Sequence, residues 1–244
     1  VFDEVDVAMM VHPSDRTLVG RGSLGVKELE LGFHGESAHA SSRPEEGINA
    51  LDAVIATFNH VNALREHIKD SSRIHGIISD GGEKPNIVPD YAEAIFYARA
   101  EKPDYLDELV KKVKNCAEAG ALATGAELEI AGGHSYQPMD PNPALSGMVE
   151  KNFEALGEEV EGSGGGVGST DMGDVSQKIP AVHPYIKIAE ENTPGHSEAF
   201  AGAANSETGY SAMVRAAKVL AMTGVDVLWS EDKYRKVMES FQEG

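Results

Sequence analysis

The chain has 244 residues, with 21 basic against 40 acidic side chains and a formal net charge of −19. Hydrophobic residues make up 41%, enough for a sizeable core, which excludes a disordered chain, and no apolar run approaches the length of a membrane span. The charge argues against a nucleic-acid or anionic-membrane partner, because phosphates are repelled. The one cysteine, Cys116, excludes an internal disulfide and a cysteine-cluster zinc site, and fits a cytoplasmic protein.

Val1, not Met, opens the chain, and VFDEVDVAMMVHP reads as the end of an element, so an amino-terminal portion is expected upstream. Val5 to Val11 predicts a buried strand of a parallel sheet. Leu24 to Phe33 alternates apolar and charged residues, the pattern of a strand with one wet face. From Pro44 the period changes: Ile48, Leu51, Val54, Ile55, Phe58 and Val61 predict an amphipathic helix from Pro44 to about Lys69. Ile74 to Ser79 and Tyr91 to Ala100 read as strands, Pro103 to Thr124 as a helix and Leu128 to Ile130 as a strand. The order β-α-β-β-α-β is the ferredoxin-like split pattern, with both helices on one face of an antiparallel sheet. After a loop from His134 to Pro143 come a helix over 144–156, a glycine-rich loop, a strand over 182–189 and helices over 205–223 and 230–242. The fold class expected is α/β: an α/β domain from 1–22 and 135–244, with a ferredoxin-like α+β module, 23–134, inserted into it.

Several residues can carry chemistry. His12 ends an apolar strand, where open α/β sheets place their sites. It reads as a metal ligand or general base, or as a histidine capping a strand end. His196, in the polar loop NTPGHSEAF, reads as a ligand or a surface histidine. Zinc suits two such imidazoles, but nothing local supplies a third ligand. GSGGGVGST lacks the Gly-Lys-Ser/Thr of a phosphate loop and reads as a pocket-lining loop before a helix capped near Thr170-Asp171. His39 stands among small residues in GFHGESAHASSRPEEGINA, exposed between a strand and a helix, or in a plain polar turn. Asn86 lies in the turn KPNIVPD, as a functional amide or as one bound to its own backbone. Arg99 ends a strand, as a fork for a substrate carboxylate or as a surface ion pair.

Taken together, DVAMMVHP, GFHGESAHASSRPEEGINALDA, KPNIVPDYAEA, GSTDMGDVS and PGHSEAF, with AVHPYIKI and AAKVLAMTGVDVL, resemble the two-zinc amidohydrolase and peptidase family of aminoacylases, hippurate hydrolases and dipeptidases. The resemblance is nearest to the p-aminobenzoyl-glutamate hydrolase-like and dipeptidase-like branch. It implies a zinc-exopeptidase-like α/β domain with a ferredoxin-like lid, a homodimer formed through the lid, and two zinc ions, with manganese or cobalt as alternatives. By the same resemblance His12 and His196 match metal ligands, and His39 matches a catalytic lid residue that reaches the partner's site. Asn86 and Arg99 match positions that hold the substrate's carboxylate side; Ser169, Thr170 and Asp171 match a pocket-lining stretch. The substrate implied is an N-acyl amino acid, a dipeptide or an aminobenzoyl-glutamate. The resemblance places the family's earlier metal motif, and the Glu-Glu pair that carries its general base, upstream of His12, and neither is found there. The chain is therefore expected to be a truncated, inactive portion of an amidohydrolase, or else a non-catalytic dimerisation or binding module.

Overall fold

The computed structural model describes residues 2, 4–162 and 168–243. The chain forms two compact units, Leu24–Pro138 and the pair of segments Val1–Ser23 and Met139–Gly244. The second boundary falls beyond the expected 134/135 because the last strand of the inserted unit runs through Tyr136.

After two short strands, β1 (Ala8–Met9) and β2 (His12–Ser14), the chain enters the inserted unit through β3 (Gly25–His34). There follow α1 (Ala50–Leu64), β4 (Arg73–Asp80), β5 (Tyr91–Ala100), α2 (Pro103–Thr124) and β6 (Glu127–Tyr136). The sheet order is β4-β5-β3-β6, antiparallel throughout. On β5 burial alternates at every residue: Ala92, Ala94, Phe96, Ala98 and Ala100 are buried, and the residues between them are half-buried. Leu29, Leu31 and Phe33 from β3 share that face with Val54 and Val61 of α1 and Leu106, Leu109 and Val113 of α2. Each such side chain contributes about 1.5–3 kcal/mol when fully buried. The helices cross closely at Gly120, where a Cβ would lie 2.7 Å from the Ala53 carbonyl oxygen.

Two expectations in this unit are corrected. The helix expected from Pro44 to about Lys69 is three pieces. Pro44–Glu46 is a single 3-10 turn, Ile48 bridges to Glu36, and α1 starts only after Asn49. The Asn49 side chain accepts from the N–H groups of Leu51 (3.0 Å) and Asp52 (3.3 Å), a cap stronger than the Pro44 start signal. The far end tightens into a 3-10 turn over Arg65–His67. The strand expected at 128–130 spans all of β6, across a bulge opposite Lys27 and Leu29. Gly133 lets the Glu28 side chain lie over the bulge: a Cβ would meet its carboxyl carbon at 2.4 Å, and Glu28 would have to turn aside.

The other unit contains α3 (Pro143–Ala155), α4 (Met172–Ser176), β7 (Ala181–Val182), β8 (Tyr185–Lys187), α5 (Glu198–Ala204), α6 (Glu207–Trp229) and α7 (Glu231–Gln242). β1 pairs with β7 and β2 with β8, both parallel. The register is continuous: Ala8, Met10 and His12 donate in turn to the carbonyls of Pro180, Val182 and Pro184. The strands expected at 5–11 and 182–189 are thus partners, but each is shorter than expected. Pro184 has no N–H with which to return a bond, so the ladder breaks there. Val7 to Val11 are half-buried, not fully buried as expected. Leu145, Val149 and Phe153 of α3 pack with Ala212, Ala216 and Val219 of α6, Val237 of α7, and Val182 and Ile186. The helix expected at 205–223 continues to Trp229 and is preceded by α5, with Ser206 capping α6. Most of the glycine-rich loop, residues 163–167, lies outside the described residues. No described helix is long and apolar enough to cross a membrane.

Candidate active site

His12 opens β2, with Tyr185 as its register partner on β8. Its ring is exposed, and Nδ1 lies 2.7 Å from the Pro13 carbonyl oxygen. A carbonyl only accepts, so Nδ1 carries the proton, and in the neutral form of the ring Nε2 is the nitrogen left with a bare lone pair. That is the tautomer a metal ligand needs, with the other nitrogen held by a backbone carbonyl.

His196 sits just before the N-cap of α5, where Ser197 accepts from the Phe200 N–H at 3.2 Å. Its φ is +59°, left-handed backbone that a non-glycine residue adopts only under constraint. Asn192, earlier in the same loop, has φ +65°, and its N–H donates to Asp15 Oδ2 at 2.8 Å. Asp15 follows β2 directly, so its carboxylate ties the His196 loop to the strand that carries His12. His12 and His196 line one open cleft of about 620 Å³, with Asp15, Tyr185, Glu198 and Phe200 also on its wall. Among the described residues no three His, Cys, Asp or Glu side chains group closely enough to hold a metal. Two imidazoles at one cleft are what these residues offer such an ion.

Behind His12 lies a residue the sequence did not single out. His183 is only 3% exposed, and its buried Nε2 has no hydrogen-bond partner among the described residues. Burial, then the nearby His12, lowers its pKa to about 4, with Asp171 opposing, so this imidazole is neutral at pH 7. Asp15 and His183 were both legible as residue types, in HPSD and AVHPYIKI, but their roles depend on strand pairing. Thr170 accepts from the Met172 N–H at 3.3 Å at the start of α4. Ser169, Thr170 and Asp171 are not among the residues lining the His12–His196 cleft.

In the inserted unit the His39 loop pairs with the Asn86 turn. His39 bridges Ile87, flanked by bonds from Ala40 N to the Asn86 oxygen (3.0 Å) and from Val88 N to the Ala38 oxygen (2.9 Å). The exposed His39 ring accepts from the Ser41 N–H at Nδ1, 3.3 Å away. Its tautomer is the reverse of that at His12: the proton is on Nε2, an outward donor. Arg99 stands apart at the other end of β5, its guanidinium 5.8 Å from the centre of the Tyr97 ring.

Residues 21–124 match the family model of the peptidase dimerisation domain of M20 peptidases. The chain is 37% identical to a Homo sapiens Xaa-Arg dipeptidase over 99% of its length, covering 56% of that protein. It is 25% identical to a p-aminobenzoyl-glutamate hydrolase subunit of Escherichia coli (strain K12), over all of this chain and 63% of that one. The chain thus spans a little over half the length of these curated relatives. In fold it is similar to an aminobenzoyl-glutamate utilization protein from Klebsiella pneumoniae, with a TM-score of 0.71 at 18% identity, covering 94% of this chain and 56% of that one. Mixed α/β in fold and homologous to Xaa-Arg dipeptidases and p-aminobenzoyl-glutamate hydrolases, the chain belongs to the M20 amidohydrolase and peptidase family.

Proposed function

We propose that the protein carrying these residues is a metal-dependent peptidase that cleaves dipeptides, acting as a homodimer formed through Leu24–Pro138. The observation that carries this reading is the pair of imidazoles at one cleft, with the Nε2 of His12 kept bare by the Pro13 carbonyl. His12 and His196 would each supply a ligand to one of two metal ions, zinc first and manganese or cobalt next. Bound there, the metal supplies Lewis acidity toward the scissile amide. His39 donates its Nε2–H to the oxyanion that develops on the amide carbonyl. Arg99 takes the substrate's carboxylate in its planar fork, and Asn86 holds the same side of the substrate. Ser169, Thr170 and Asp171 contribute to the substrate pocket.

A dipeptide ending in arginine is the first substrate to test. The dipeptidase relative is more similar than the aminobenzoyl-glutamate hydrolase, and a net charge of −19 draws cationic substrates. N-acyl amino acids and aminobenzoyl-glutamate are the comparison substrates. Residues 1–244 by themselves are proposed to have negligible activity, because two imidazoles fall short of the ligand set of a tight zinc site.

The test is arginine release from an Xaa-Arg dipeptide by the protein that carries these residues, with and without zinc. The reading expects activity restored by zinc after chelation and abolished in His12→Ala and His196→Ala. Full turnover after chelation, or in either variant, would overturn it.

A further inference from the structure

His183 follows β7, and Tyr185 two residues on lies on the same side of the chain. Their rings stack at 5.3 Å between centroids, 21° from parallel. The His12 ring packs against both members of this stack, 5.7 Å from His183 at 65° and 5.4 Å from Tyr185 at 53°. The backing is rigid. Met10 N to the Val182 oxygen (3.1 Å) and His12 N to the Pro184 oxygen (2.9 Å) lock the backbone on both sides of His183. The His183 side chain is buried, and its Nε2 finds no hydrogen-bond partner among the described residues. A nitrogen buried without a partner is unfavourable for folding, so this ring is not held in place by a bond at that atom. What the ring does is fill the space behind His12.

We propose that His183 is a positioning residue that braces the His12 ring edge-on, so that Nδ1 stays on the Pro13 carbonyl and Nε2 stays bare at the cleft. Without the brace, His12 can rotate about its side-chain torsions, lose the Pro13 bond and present the wrong nitrogen. The proposal rests on the reading of His12 as a metal ligand only for its consequence. The brace itself is a property of the metal-free chain.

The test uses chain 1–244 labelled with 15N and free of metal, at about pH 8.5, where an ordinary imidazole is neutral. Long-range proton–nitrogen correlation spectra report which nitrogen of His12 carries the proton. Wild type should show a single Nδ1–H form. His183→Ala should give a mixture of tautomers at His12, and His183→Phe, which keeps a ring in the same space, should restore the single form. Zinc alone is then titrated calorimetrically. His183→Ala should weaken its binding on the order of tenfold, as loss of a residue supporting a ligand does, with His183→Phe close to wild type. A single Nδ1–H form in His183→Ala would overturn the brace, as would mixed tautomers in His183→Phe. If the alanine variant fails to fold, mixed tautomers in the phenylalanine variant still overturn the brace. Zinc binding unchanged in His12→Ala would overturn the ligand reading alone, leaving the tautomer result to judge His183.

Discussion

Ala40 donates its backbone N–H to the carbonyl oxygen of Asn86 at 3.0 Å, and this bond fastens the His39 loop to a turn between β4 and β5. The loop is thereby built on the sheet, and His39 projects from a fixed base. Ser41 completes the arrangement by donating to Nδ1, which leaves Nε2–H pointing away from the loop. A preorganised donor of this kind is worth about a hundred- to a thousand-fold in turnover when it meets a developing oxyanion. His39→Ala should therefore lower kcat by that factor, with KM little changed and metal content unchanged, since the contact forms in the transition state. Wild-type turnover in His39→Ala would remove His39 from the mechanism.

The α1–α2 crossing gives a stability prediction. A Cβ at position 120 would lie 2.7 Å from both the Ala53 oxygen and the Thr57 hydroxyl. Gly120→Ala gains up to about 1 kcal/mol of helix propensity, against roughly 1–3 kcal/mol for forcing the helices apart. The clash should win, because the nearest atom is backbone and cannot rotate aside. Asn49→Ala should cost about 1 kcal/mol by removing the cap of α1. Urea melts of the two variants check both; a Gly120→Ala protein as stable as wild type would mean that the helices have room to part.

Asp226 supplies a pH prediction. Its carboxylate accepts from Lys233, which holds its pKa below the usual aspartate value; burial opposes this, and a second bond from Asn152 (3.2 Å) adds to it. A carboxylate whose folded-state pKa is lowered stabilises the fold above its unfolded value, near 3.8. That contribution is lost as pH falls through the lower folded-state value. The stability of wild type should thus drop more steeply below about pH 4 than that of Asp226→Asn. Denaturant melts at neutral and acid pH decide it, and equal acid slopes would show that the pair contributes nothing.

What the sequence disclosed depended on how local the signal was. β5 was plain because alanines and Phe96 take every second position from Ala92 to Ala100. α2 was plain because Pro103 opens it and Gly125, at φ +80°, closes it. The Asn49 cap was missed because Pro44-Glu45-Glu46 is itself a good start signal, and only the Glu36–Ile48 bridge holds the chain extended between them. β6 was read short because glycines at 132 and 133 look like a turn, whereas Gly133 makes room for Glu28 across a bulge. His12 and His196 were visible as candidates, but their shared cleft depends on Asp15 holding Asn192, a contact across 177 positions of sequence. His183 was invisible as a functional residue, since its neighbour His12 comes from a strand at the other end of the chain.

The placement of Arg99 gives the last prediction. From Tyr91, beside the Asn86 turn, to Arg99 is the whole of β5, about 26 Å at 3.3 Å per residue. Arg99 and the His39–Asn86 corner of one copy therefore cannot grip the same small substrate. If both serve catalysis, one of them must act on the site of the partner copy. With His39 acting across the dimer and Arg99 within its own chain, the outcomes for mixed dimers are distinct. His39→Ala subunits mixed with His12→Ala subunits leave one site in each heterodimer with an intact metal side and an intact donor. At equal amounts about half the dimers are mixed, so about a quarter of wild-type activity should return. His39→Ala mixed with Arg99→Ala should recover in the same way. Arg99→Ala mixed with His12→Ala should not, because each site then carries one of the two defects. Recovery in that last pair, with none in the first, would assign the crossing to Arg99. Recovery in none of the three would show that the two ends of the sheet do not serve two sites of one dimer.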